Sequence, residues 1–165
     1  MKLTPALVVL GLLSGCAHQV PKEALPVERS DAADGIERDA GSRAELLLRA
    51  FGLVGVQYQF GGHSPDTGFD CSGLVQYLFS EVLGLALPRR AQDMSRIGSA
   101  VRHHELHPGD LVFFDTLREP FSHVGIYLGD HRFIHAPSSG GQVEVVFMTD
   151  RYWHRRYNGA RRIGF

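Results

Sequence analysis

The chain has 165 residues, enough for one domain with its own hydrophobic core. At 44% hydrophobic and 21% charged residues, it has the balance of an ordinary globular protein rather than a disordered or fibrous one. A formal net charge of −1 leaves no electrostatic reason to expect a nucleic-acid partner.

Lys2 opens the chain with a positive charge, and Ala6 to Leu13 form an apolar run. That run falls far short of the ~20 residues that a bilayer-spanning helix needs, so it reads as an export signal. It ends in Leu13-Ser14-Gly15-Cys16, a branched apolar residue and two small ones before a cysteine, which resembles the bacterial lipobox. The resemblance implies a lipoprotein signal peptide over residues 1–15 and acyl chains on Cys16, several of which anchor a protein lastingly where one would not. Ala17 stands where an aspartate would imply retention at the inner membrane. The expected location is therefore the periplasmic face of an outer membrane. With two cysteines in the chain and Cys16 lipidated, Cys71 is the remaining thiol, in an oxidising compartment.

Residues 16–41 hold Pro21, Pro26 and mixed charges with little periodicity, and are expected to be a flexible tether. The ordered domain is expected over 42–165. Ser42-Arg43-Ala44-Glu45 fits a capping box, with Leu46, Leu47, Ala50, Phe51 and Val54 following at helical spacing. Tyr58-Gln59-Phe60-Gly61-Gly62 leads into an expected loop, His63 to Phe69. Asp70 can cap a second helix whose apolar face is Leu74, Val75, Leu78, Phe79, Val82 and Leu83, ended by Gly84. Residues 91–97 suggest a short helix after Pro88. Pro108-Gly109-Asp110 is a turn, and strands are expected at Leu111 to Phe114, His123 to Leu128, Arg132 to His135, Val143 to Phe147 and Tyr157 to Ile163. Helices followed by a meander of strands indicate an α+β fold, with helices packed on a central antiparallel sheet.

Asp70-Cys71-Ser72-Gly73 places a thiol in the first turn of a strongly amphipathic helix. The unpaired N–H groups and positive dipole end there are expected to lower its pKa, and the same groups can stabilise an oxyanion. Small Ser72 and Gly73 are expected to let a substrate approach the backbone. A cysteine at a helix start is weak evidence alone, because free cysteines are commonly buried spacers.

Two histidines supply the context. In Ser122-His123-Val124-Gly125-Ile126-Tyr127-Leu128, His123, Gly125 and Tyr127 share one face, and the residues between them point to the other. A two-residue turn at Gly129-Asp130 would pair His135 with Val124 and separate the histidines. A three-residue loop, Gly129 to His131, pairs His135 with Gly125 and makes the histidines diagonal neighbours, ~7–8 Å apart at the backbone. The second register is expected, with His131 adopting the positive φ that such a loop needs. His123 is then the base for Cys71, and His135 orients it, the nucleophile–base–orienter logic of cysteine peptidases. Gly125 is expected to leave room beside His135.

The Asp70-to-Val75 run, Ser122 to Gly129 and Phe133-Ile134-His135-Ala136 together resemble the NlpC family of cell-wall endopeptidases. Tyr58 to Gly62 and Pro108-Gly109-Asp110-Leu111-Val112-Phe113-Phe114 match it too, so the similarity runs from about residue 42 to 163 in the family's motif order. The resemblance implies a circularly permuted papain-like fold and a Cys71-His123-His135 triad without cofactor. It implies hydrolysis of amide bonds in peptidoglycan stem peptides, at D-glutamyl-diaminopimelate or at cross-links involving diaminopimelate. It also implies that Tyr58 assists the oxyanion and that Asp70 and Ser72 line the substrate groove. Gln57 stands where the family often has proline, and Arg90-Ala91-Gln92-Asp93 replaces a commoner small-residue pattern beside the groove.

His103, His104 and His107 read as a solvated polar turn, His63 as a surface residue and Phe60 as a core aromatic. Arg151, Arg155, Arg156, Arg161 and Arg162 read as a solvated basic face, attractive to stem-peptide carboxylates or acidic head groups. Competing functions are a zinc protein using Cys71, His123 and His135, a non-catalytic wall-binding module, and acyl transfer in place of hydrolysis. The Asp-Cys-Ser-Gly helix start favours a nucleophile over a zinc ligand, and a binding role needs neither histidine. The protein is expected to act as a monomer on the membrane that holds its anchor.

Overall fold

The computed structural model describes residues 31–138 and 140–164. The expected leader, the lipidated Cys16 and the tether as far as residue 30 lie outside the described residues. Helix α1 spans Asp31–Gly52, so the helix begins well before the capping box expected at Ser42. No proline interrupts that stretch, and Asp39 pairs with Arg43 one turn later at 3.2 Å, across the expected boundary. Arg43 also donates to the Pro108 carbonyl at 3.2 Å, fastening α1 to the turn before the sheet. Leu46 and Ala50 are buried as expected, whereas Phe51 and Val54 are exposed.

Helix α2 covers Cys71–Leu83, with Asp70 as its N-cap and Gly84 in the left-handed conformation at its end. Leu74, Val75, Leu78 and Phe79 are buried along it. Two shorter helices follow, α3 (Ala91–Met94) and α4 (Arg151–His154). The expected loop after Gly62 contains a small hairpin of β1 (His63–Ser64) and β2 (Gly68–Phe69). The remaining strands are β3 (Ser99–Val101), β4 (Leu111–Phe114), β5 (His123–Gly129), β6 (Arg132–His135), β7 (Glu144–Phe147) and β8 (Tyr157–Arg162). They form one antiparallel sheet in the order β3-β8-β4-β5-β6-β7. Helices on a central antiparallel sheet are the α+β architecture that the element order indicated.

Both faces of the sheet are covered. Leu111, Phe113, Val124, Ile126 and Ile134 pack with the buried face of α2 and with Leu46 and Ala50 of α1. On the other face Val112, Phe114, Tyr127, Phe133 and Met148 form a second core, with Trp153 of α4 and Tyr157 packed against it. Asp110 of the Pro-Gly-Asp turn is fully buried, and Arg162 on β8 binds both of its oxygens at 2.8 Å. Arg162 therefore leaves the basic face in which its sequence neighbours placed it, because a buried carboxylate requires a partner.

The β5–β6 hairpin decides where the histidines go. Ile126 pairs with Ile134 and Tyr127 with Phe133, a register that continues to Gly125 opposite His135, as expected. The loop producing it differs from the expected three-residue one. Gly129 pairs with Arg132, so the turn itself is Asp130-His131, both at positive φ (50° and 58°). Two such central residues make a turn whose twist suits a hairpin. A bulge between Tyr127 and Gly129 then supplies the extra residue on β5.

Candidate active site

Asp70 builds the start of α2. Its Oδ1 accepts the Gly73 N–H at 2.7 Å, and its Oδ2 accepts the Gly61 N–H at 3.0 Å, while its own N–H donates to the Gly62 carbonyl at 3.1 Å. The glycine loop is thus laced onto α2 through one residue. Gly73 makes this possible, since a Cβ there would sit 2.0 Å from the Gly62 carbonyl oxygen. The space at Gly73 therefore belongs to the protein's own backbone rather than to an approaching substrate. Ser72 is likewise buried, its hydroxyl 3.3 Å from Asp70 Oδ1 and 2.7 Å from Arg89 Nη1.

Arg89 completes this corner. Its Nη1 lies 3.0 Å from Asp70 Oδ1, and its Nη2 pairs with Oδ2. Asp70 and Ser72 do line the cleft with Tyr58, Cys71 and His123. However, every oxygen of Asp70 is already bonded within the protein, and its charge is neutralised by Arg89. Arg89 directly precedes the Arg90-to-Asp93 segment expected beside the groove, but nothing in the sequence spacing tied it to Asp70.

Cys71 is a free cysteine at the floor of a cleft of about 490 Å³. Burial pushes its thiol up from the ordinary range, and nearby Asp70 adds to this. Backbone groups of Val124 and Ser72 and the Ser72 hydroxyl favour the thiolate without overcoming burial. The expectation of a lowered pKa is therefore reversed. The helix start is desolvated, and its capping carboxylate sets a negative charge beside the sulfur. Tyr58, also on the cleft wall, is shifted up by burial and then by the Asp70 charge, so its phenol is a neutral donor.

His123 and His135 meet as the register requires. Nε2 of His123 lies 3.0 Å from Nδ1 of His135, with the rings nearly perpendicular. Both rings are buried, and His135 is wholly so. Burial depresses His123 to about 4; burial and then the His123 charge depress His135 to about 2. Both imidazoles are neutral at neutral pH. With Nε2 committed to His135, Nδ1 is the ring nitrogen that His123 has left, and His123 lines the same cleft as Cys71. Gly125 does not make room for His135 as expected. A Cβ there would lie 2.6 Å from both the Ile134 carbonyl oxygen and the Phe133 ring.

Trp153, like Arg89, reaches the site without any signal in the sequence. Its ring stacks on His123 at 5.5 Å between centroids and meets His135 edge-on at 4.8 Å. A lone tryptophan in a short helix far along the chain carries no spacing signal, yet here it covers the histidine pair. Phe60, expected in the core, is instead 86% exposed and lines the cleft, as does the 66% exposed Leu117. His63, His103, His104 and His107 are exposed. Among the described residues no group of three or more His, Cys, Asp or Glu side chains is arranged to hold a metal ion. The two catalytic candidates point their nitrogens at each other, which is not how zinc ligands converge.

The NlpC/P60 family model matches residues 55–162. Murein DD-endopeptidase MepS/Murein LD-carboxypeptidase of Escherichia coli is 36% identical over 172 aligned positions, covering 96% of this chain and 90% of that protein. Murein DD-endopeptidase MepH of Escherichia coli is 42% identical over 113 positions, and the gamma-DL-glutamyl hydrolase of Bacillus subtilis 44% identical over 118. Those alignments cover 67% and 71% of this chain but only 42% and 28% of the two relatives. Among solved structures, an NlpC/P60 family protein from Bacillus cereus superposes with a TM-score of 0.70 at 32% identity, over 74% of this chain and 40% of that one.

Proposed function

Because the chain belongs to the NlpC/P60 family and has its papain-like α+β fold, we propose that it hydrolyses amide bonds in peptidoglycan stem peptides. Cys71 is the nucleophile, His123 the base and His135 its orienter. The supporting observation is the 3.0 Å bond between the two buried imidazoles, with His123 and Cys71 facing one cleft. The names of the relatives, murein endopeptidases and a glutamyl hydrolase, point to the same substrate class. Either a D-glutamyl-diaminopimelate bond or a cross-link involving diaminopimelate would present the required amide.

At rest the thiol and both imidazoles are neutral. As Cys71 Sγ attacks the amide carbonyl carbon, its proton passes to His123 Nδ1. The oxyanion that forms is stabilised by N–H groups at the start of α2 and by the Tyr58 phenol. Collapse expels the amine, which takes the proton back from His123, and leaves a thioester on Cys71. Water then gives a proton to His123 and attacks the thioester, releasing the carboxylate and restoring the thiol.

The test is digestion of purified muropeptides by the wild type and by Cys71→Ala, with products resolved by mass spectrometry. Cleavage by the wild type alone is expected, and equal digestion by both would end the assignment. In the same reading the protein is a monomeric outer-membrane lipoprotein, anchored by acyl chains on Cys16 and facing the periplasm. Cys16→Ala should abolish incorporation of a palmitate label and release the protein to the soluble fraction. A wild type that takes up no label would refute the anchor.

A further inference from the structure

The proton arrangement of the triad poses a question that its three members leave unanswered. For His123 to accept the Cys71 proton, its Nδ1 must carry a lone pair, so its own proton sits on Nε2. That proton is donated to His135 Nδ1, 3.0 Å away, which must then be an acceptor. His135 is neutral, so its single proton has to lie on Nε2. The opposite tautomer of His135 would donate from Nδ1 and force His123 to present an N–H to the thiol, and the base would be lost.

Nε2 of His135 is buried and makes no hydrogen bond, although a buried N–H without an acceptor is costly. One acceptor stands beside it. Glu144 is the direct cross-strand partner of His135 in the β6–β7 pairing, so their side chains share a face. Its Oε1 lies 3.5 Å from His135 Nε2, a few tenths of an ångström beyond a hydrogen bond. Glu144 is half exposed, on the edge strand of the sheet, and free to close that gap.

We infer that Glu144 is a positioning residue of the active site, holding His135 in the Nε2–H tautomer that leaves His123 a base. The inference rests on the hydrolase reading above. It extends the site to a relay of Cys71, His123, His135 and Glu144 that runs from the cleft, through the buried second core, to the sheet edge. Glu144 touches no substrate and acts only through His135.

The test compares wild type, Glu144→Gln and Glu144→Leu in the full chain, with two readouts. Nitrogen-15 NMR of labelled histidines reports the His135 tautomer independently of turnover, and muropeptide kinetics report kcat and KM separately. Wild type and Glu144→Gln, whose amide oxygen still accepts, should show His135 protonated at Nε2. Glu144→Leu should shift that population toward Nδ1–H and lower kcat by up to about 100-fold, the lower end of what a general base contributes, with KM little changed. Glu144→Gln should recover most of that loss. A Leu variant with an unshifted tautomer and wild-type kcat would overturn the inference. So would a Gln variant as impaired as Leu. Failure of the hydrolase reading would show itself separately, as muropeptide cleavage that survives Cys71→Ala.

Discussion

Replacing Gly73 by alanine tests whether the glycine loop and the nucleophile helix are one rigid unit. The new Cβ would lie 2.0 Å from the Gly62 carbonyl oxygen and 3.1 Å from Asp70 Oδ1. A carbon and an oxygen rest at roughly 3.2–3.4 Å or more, so the backbones must part by more than about 1 Å. Backbone cannot rotate away as a side chain can. The Asp70 N–H to Gly62 bond at 3.1 Å and the Gly61 N–H to Asp70 bond at 3.0 Å lie across the widened seam. Overpacking costs about 1–3 kcal/mol, and each lost hydrogen bond about 1 kcal/mol more, so a destabilisation of about 2–5 kcal/mol is expected. Cys71 sits at the moving end, and a misplacement of about 1 Å can cost around 100-fold in rate. Urea denaturation with muropeptide turnover at a temperature where the variant remains folded separates the two effects. A variant with wild-type midpoint and wild-type kcat would refute the close packing of loop on helix.

Three further outcomes follow from the same structure. Arg162→Met strands the buried Asp110 carboxylate without its guanidinium and should cost about 3–5 kcal/mol in urea denaturation, while a double variant that also carries Asp110→Asn should recover part of the loss. His123 and His135 are depressed to about 4 and about 2 when folded, against 6.5 otherwise, so the unfolded chain binds more protons below pH 6.5. Stability should therefore fall as pH drops from 6.5, by up to about 1.4 kcal/mol per unit per histidine, until the folded values are reached, and His135→Gln should flatten the melting temperature's slope against pH. Trp153→Ala admits water to the imidazole pair, raises the pKa of His123 and should move the acid limb of kcat/KM from near pH 4 toward 6.5; an unmoved limb would show that Trp153 does not shield the base.

How much of this was legible in the sequence depends on the range of the interaction. The start and end of α2 were visible because Asp70 and Gly84 act on their own turns. The histidine register was visible because side chains in a strand alternate, so of two adjacent registers only one puts His135 on the His123 face. The turn that creates it was misread, because a bulge and a two-residue turn yield the same pairing as a three-residue loop. The sign of the Cys71 shift was misread for a different reason. Helix-end chemistry is local, whereas the burial that overrides it comes from elements distant in the chain. Arg89, Glu144 and Trp153 stayed hidden on the same ground, since each reaches the site only through tertiary packing.

The reversal at Cys71 alters what the second core is for. Had the helix start alone produced a thiolate, a solvated imidazolium beside it would have served. In the proposed mechanism a thiol pushed up by burial instead needs a neutral acceptor, and burial of the histidine pair supplies one by depressing His123 to about 4. Trp153, Phe114 and Phe133 around the imidazoles thus do more than fill the far face of the sheet. They keep His123 unprotonated, at the cost of leaving each ring nitrogen dependent on a protein partner instead of water. His123 meets that requirement through His135, and His135 meets it at Nδ1. The demand for an acceptor then passes to Nε2, which is why the residue across from it on β7 matters, in the proposed mechanism, to a proton transfer at His123 two strands away.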